Sequence, residues 1–89
     1  MSTVEQRLSE LGHTVPEVAA PVAAYVPAVQ HGDLVFTSGQ LPFVDGTLPA
    51  TGKVGEGEGL VDPEEAKRLA VVCALNAIAA VKSVVGDLD

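Results

Sequence analysis

The stretch HGDLVFTSGQLP, His31 to Pro42, decides how the chain is to be read. Leu34-Val35-Phe36-Thr37 is a run of apolar and β-branched residues with the composition of a strand. It stops at Ser38-Gly39-Gln40, a small hydroxyl, a glycine and an amide. Upstream, Tyr25 to Gln30 is a second β-favouring run. The intervening His31-Gly32-Asp33 gives three loop residues with a central glycine, so an antiparallel hairpin is expected. Pro27 has no N–H to donate, which marks the first strand as an edge or a bulged one. Alternation sets Leu34, Phe36 and Ser38 on one face of the second strand, and Val35 and Thr37 on the other.

Beyond the hairpin the strongest signal is Asp62-Pro63-Glu64-Glu65. An Asp cap, Pro at the first helical position and acidic residues in the first turn start a helix. Glu64 and Glu65 are explained there by the helix dipole without a catalytic role. The helix is expected to run to about Val85, with Gly86 as its stop. At 100° per residue Ala66, Leu69, Ala70, Cys73, Ala77, Ala80, Val81 and Val84 make one broad stripe that would pack on the sheet. The opposite face holds Glu64, Glu65, Arg68, Asn76, Lys82 and Ser83, but also Val72, Leu75 and Ala79. That is more apolar than solvent exposure predicts, so a partner subunit or a piece of the protein outside this chain is expected to cover part of it. Asn76 is expected to be an exposed helix residue, with a reach into a cleft as the lesser alternative, and Cys73 a small core residue.

At the other end, Thr3-Val4-Glu5-Gln6 has the form of a capping box. Val4, Leu8 and Leu11 follow at helical spacing and Gly12 closes a short amphipathic helix. His13 to Ala24 contains Pro16 and Pro21 and reads as an extended connector. Phe43 to Gly59 is a turn-rich loop with Asp45-Gly46, Pro49 and four further glycines, and a short strand is expected around Lys53-Val54.

Composition narrows the function classes. Eighty-nine residues make one small domain or part of one. A chain of this size buries only about 60% of its unfolded surface, so association is an expected remedy. With 5 Lys and Arg against 12 Asp and Glu, the net charge is −7. No basic cluster is available to bind a phosphate backbone, and a nucleic-acid partner is not expected. Cys73 is the only cysteine, which rules out an internal disulfide and a thiolate metal cage. The longest apolar run, Leu69 to Val81, is interrupted by Asn76 and is short for a bilayer span. No leader is recognised at the start of the sequence, and a cytoplasmic setting without membrane contact is expected.

Several motif readings fail. GKVGEGEG, residues 52–59, lacks the hydroxyl that should follow Lys53 in a phosphate loop, and Glu56 and Glu58 would repel phosphate. His13 and His31 have no metal-ligand spacing. Thr37-Ser38-Gly39-Gln40 is not a nucleophile elbow, and no triad partner is evident. From these residues alone, Ser38 and Gln40 could simply cap the strand and satisfy backbone groups in the turn.

Tyr25-Val26-Pro27-Ala28-Val29 and Gly32-Asp33-Leu34-Val35-Phe36-Thr37-Ser38-Gly39-Gln40-Leu41-Pro42 together resemble the opening hairpin of the RidA/YjgF family. The Asp62-Pro63-Glu64-Glu65-Ala66 start, Asn76-Ala77 and the Val85-Gly86-Asp87-Leu88 end are similar to that family's first long helix. The N-terminal helix and Gly-Lys-Val-Gly loop resemble a longer subgroup often labelled as YjgF-like endoribonucleases. The resemblance implies an α+β, chorismate-mutase-like fold and a homotrimer with ligand clefts between subunits. It implies hydrolysis of reactive enamines or imines, such as 2-iminobutanoate and 2-iminopropanoate, to 2-oxo acids and ammonia, with no cofactor or metal. Tyr25, Ser38 and Gly39 correspond to the family's ligand-binding positions.

The family's carboxylate-binding arginine and water-orienting glutamate lie in a second β-α-β half, and no residue here matches either. Residues 1–89 are therefore expected to be a single, incomplete RidA-like domain with impaired catalysis. The alternatives are a trimer that binds 2-imino or 2-oxo acids without turnover, and an endoribonuclease, which the acidic charge disfavours.

Overall fold

A computed structural model describes residues 2–20 and 23–89. Its elements follow in the order α1 (Thr3–Glu10), β1 (Ala28–His31), β2 (Leu34–Thr37) and α2 (Pro63–Val85). The α+β architecture read from the sequence is present: a short N-terminal helix, an antiparallel hairpin, a glycine-rich loop and one long helix packed on the hairpin. The connector containing Pro16 is free of regular structure, as expected. The part of it at Pro21 lies outside the described residues.

The hairpin pairs Ala28 with Thr37, Val29 with Phe36, Gln30 with Val35 and His31 with Leu34. His31 is thus a strand residue, and the loop is two residues rather than three. Gly32 at φ +60 makes that possible, since a positive φ at the first central position turns the chain with the strands' own twist. Strand pairing runs one step past β1 and β2, because the Ser38 N–H donates to the Pro27 carbonyl at 3.0 Å. Pro27 takes part as an acceptor, the one backbone role open to proline.

Helix α2 starts where the sequence places it. Asp62 accepts from the Glu64 N–H at 3.0 Å, and Pro63 is the first helical residue. At the far end Gly86 adopts φ +82 and its N–H returns to the Lys82 carbonyl at 2.8 Å. The face that α2 buries differs from the expected stripe. Asn76, Ala79 and Ala80 are buried, while Ala70 and Val84 are exposed. The burial is therefore rotated toward the side read as polar. Val72 and Leu75 on that side are half-buried beside residues 14–20 and the 43–46 turn, so this chain's own connector faces them. Small residues carry the closest approach, with Ala28 of β1 and Ala79 and Ala80 of α2 forming the buried apolar core.

By length and composition the 23-residue α2 could cross a bilayer, which the interrupted apolar run did not suggest. Here it instead packs on both strands of the hairpin.

The cap of helix α1 lies one residue earlier than predicted. The Ser2 hydroxyl accepts from the Glu5 N–H at 3.0 Å, leaving Thr3 as the first helical residue. The next free N–H groups, on Thr3 and Val4, donate to the two oxygens of the Asp89 carboxylate at 2.8 and 3.0 Å. Glu5 pairs with Lys82 of α2 at 2.5 Å. No residue of α1 is fully buried, so polar contacts at its N-terminal turn tie it to the end of α2. In the glycine-rich loop the strand expected near Lys53-Val54 is reduced to one parallel bridge, Val54 with Val61.

Candidate functional site

The end of β2 presents the residues singled out by the sequence. Ser38 is held at both ends of its hydroxyl: Oγ donates to the Pro27 carbonyl and accepts from Gln40 Nε2, each at 3.3 Å. Gln40 Nε2 also reaches the Ser38 carbonyl at 3.3 Å. The capping role that these residues allowed is realised. A serine hydroxyl has one proton and two lone pairs, so one acceptor position on Oγ is left after these bonds.

Gly39 is exposed, and a Cβ built on it would meet no atom within 4 Å. Its φ is not in the left-handed region. Neither backbone geometry nor crowding by this chain accounts for glycine at that position. Tyr25 is 40% exposed, with its N–H on the Ala23 carbonyl at 2.9 Å. Among the described residues its hydroxyl has no hydrogen-bond partner. Strand pairing ends at Pro27 and Ser38, and among the described residues no hydrogen bond joins Tyr25 to Ser38, Gly39 or Gln40.

The alternation of the strands decides what surrounds these groups. Ala28, Gln30, Val35 and Thr37 share the face toward α2, where Ala28 is buried and Val35 half-buried. Val29, Leu34 and Phe36 point the other way and are 49%, 60% and 56% exposed. Ser38 continues that second face. Tyr25 and Gly39 are exposed and Ser38 is half-buried.

A cavity lies elsewhere on the molecule. It has a volume of about 600 Å³ and is bounded by residues 14–20, the 43–46 turn, and Val72, Leu75 and Asn76 of α2. Asn76 is the residue that sequence reasoning missed. It is 2% exposed, and its Nδ2 donates to the Leu41 and Phe43 carbonyls at 3.0 and 3.1 Å. Those carbonyls flank Pro42 in a segment without a strand partner, so the amide satisfies acceptors that the sheet cannot. The one available signal was its place inside an otherwise apolar run, where a lone amide costs helix propensity and calls for a buried partner.

Cations are sparse. Arg7 is paired with Glu10 at 3.0 Å, and Arg68 with Glu65 at 2.5 Å. The hydrogen bond and charge of Glu65 hold Arg68 more firmly protonated. Among the described residues no three His, Cys, Asp or Glu side chains converge as a metal site would require.

Comparison with known proteins gives a consistent result. Residues 5–89 match the family described as YjgF/chorismate mutase-like, putative endoribonuclease. The chain is 35% identical over 86 residues to Protein TCP17 of Trypanosoma cruzi, covering 97% of this chain and 52% of that protein. Among solved structures, a putative endoribonuclease from Shewanella oneidensis superposes with a TM-score of 0.84 at 36% identity, covering 98% of this chain and 56% of that one. A protein of unknown function from Agrobacterium tumefaciens superposes with a TM-score of 0.73 at 42% identity, covering 96% and 50%. The chain spans about half the length of each of these relatives.

Proposed function

The chain belongs to the YjgF/chorismate mutase-like family, and from that premise we propose that it forms one wall of an intersubunit cleft in which a reactive 2-imino acid, or its enamine, is hydrolysed to a 2-oxo acid and ammonia. The observation that carries this reading is the position of Ser38 and Gly39 at the end of the hairpin face that α2 leaves bare. A second copy laid on Val29, Leu34 and Phe36 would bring its own surface against that corner. Three such copies give the homotrimer proposed here. Gly39 supports the reading because the chain itself gives no reason for a glycine there, whereas a ligand lying over the strand end does.

The chemistry asks little of these side chains. Water adds to the C=N carbon, the resulting carbinolamine collapses, and ammonia leaves as the C=O bond forms. Ser38, fixed by Pro27 and Gln40, offers its remaining lone pair to a water or ligand donor. The Gly39 N–H is the adjacent backbone donor, and the Tyr25 hydroxyl is proposed as a further donor to the ligand. Positioning is the main contribution available to such a wall. The substrate carboxylate needs a cation, and Arg7, Arg68 and Lys82 are already engaged by Glu10, Glu65 and Glu5. The cation is proposed to come from the half of the longer relatives that this sequence does not cover.

The endoribonuclease description of the family and of the Shewanella protein points to RNA instead. Against it stand the charge of −7 and the pairing of three of the five Lys and Arg with carboxylates. Salt-sensitive RNA binding by the purified protein would favour RNA.

The decisive assay is release of 2-oxo acid from 2-iminobutanoate generated in situ. Assayed on a protein that also carries that second half, acceleration over buffer is expected, with loss of at least tenfold in Gly39→Val and unchanged thermal stability. A rate no faster than buffer rejects the enzymatic reading. Saturable 2-oxo acid binding without turnover would replace it with a binding trimer.

A further inference from the structure

We propose that the cavity between residues 14–20, the 43–46 turn and α2 is a second small-molecule site, separate from the Ser38 corner, which takes an ammonium group carried on a compact apolar body. Its volume of about 600 Å³ falls in the range of small-ligand pockets. Pro16, Val18, Phe43, Val44, Val72 and Leu75 supply apolar walls. Such a surface accepts a hydrocarbon or aryl group and disfavours a strongly hydrated one.

The polar groups in it are selective for charge. Glu17 and Asp45, both exposed, border the cavity, and among the described residues neither is in an ion pair. No Lys, Arg or His lines it. Thr14 adds a hydroxyl. Asn76 provides the independent observation. It is 2% exposed, and both of its recorded bonds run through Nδ2, so Oδ1 accepts from no donor among the described residues. Among the described residues no fully buried side-chain oxygen is left unpartnered, so Oδ1 keeps access to some open space. The space that Asn76 lines is this cavity. A buried acceptor with a free lone pair, two carboxylates and no cation together describe a receptor for N–H donors bearing positive charge.

The same features exclude the 2-imino acid of the hairpin corner, whose carboxylate would meet Glu17 and Asp45. The two sites are therefore chemically orthogonal, and the proposal stands or falls independently of the imine chemistry. The turn that carries Asp45 is itself unusual. Asp45 has φ +52, a conformation that Asp and Asn tolerate better than other side-chain-bearing residues, between the bridge partners Val44 and Thr47.

The test is an NMR titration of the protein with 2-phenylethylamine, using 3-phenylpropanoate as the charge-inverted control. The amine is expected to give saturable amide shifts at Val18, Asp45 and Leu75, and the carboxylate none. In Glu17→Gln/Asp45→Asn, which keeps a residue tolerant of positive φ at 45, affinity should fall at least fivefold. Val72→Phe, which fills the cavity from α2, should abolish the shifts while leaving the amide spectrum folded. Equal response to both probes, shifts confined to Ser38–Gln40, or binding unchanged in both variants would overturn the proposal.

Discussion

At the scale of single residues, Asn76 does the work of a missing strand. Its amide hydrogens hold the Leu41 and Phe43 carbonyls on α2 across 35 and 33 residues of sequence. Asn76→Ala removes the Asn76 donor from both carbonyls, leaving the Leu41 carbonyl only the Phe43 N–H at 2.8 Å, and is expected to cost about 1–2 kcal/mol in urea unfolding. Asn76→Asp should cost more, because a carboxylate would face two carbonyl oxygens. Equal stability of wild type and Asn76→Ala would show that water replaces the amide. Helical periodicity assigns an amide to the polar face by its type alone. It cannot see carbonyls brought up by a distant turn, which is why Asn76 read as exposed and why the buried face came out rotated. Ser38 and Gln40 were legible as strand-end caps because their partners are close by in the hairpin. Whether they also touch a ligand depends on surfaces outside this chain.

At the scale of elements, both termini of α2 and the existence of the hairpin were legible, since Asp62-Pro63, Gly86 and Gly32 act through local backbone geometry. The hairpin loop was misjudged by one residue because Gly32 closes the turn tightly enough for His31 to pair with Leu34. The start of α1 was misjudged by one residue for a tertiary reason. Ser2 and Thr3 are both competent caps, but the Thr3 and Val4 N–H groups are taken by Asp89. The bonds from Thr3 and Val4 lower the Asp89 pKa below its ordinary 3.8. A lowered value in the docked state means that docking is favoured above pH 3.8 and lost as pH falls through the lower value. The Thr3 and Val4 amide resonances should therefore move together on acidification below the ordinary carboxylate range. Asp89→Asn should flatten that titration, and an unchanged titration in the variant would assign it to another group.

At the scale of the molecule, the structure is more open than a finished domain of its size. Its radius of gyration is 14.5 Å, against about 12 Å for a compact chain of this length. Its accessible surface of 6226 Å² exceeds the roughly 4,900 Å² expected of a compact monomer of 9.1 kDa. Val29, Leu34 and Phe36 on the bare hairpin face are among the large apolar side chains left exposed. Sedimentation equilibrium should show association through that face, with Phe36→Glu shifting the protein to monomer. A wild-type protein that is monomeric at every concentration would remove the trimer from the functional reading. The core that remains is mostly alanine, and Ala28, Ala79 and Ala80 offer few knobs to lock one helix position. A helix resting on so smooth a surface could slide by a residue or roll by 100° at little cost in apolar contact. Either movement would carry Asn76 away from both carbonyls at once. Its buried amide thus acts as a key for the register of α2, selecting one arrangement among several of similar hydrophobic energy. In this fold a polar residue supplies the uniqueness that side-chain bulk supplies in larger cores.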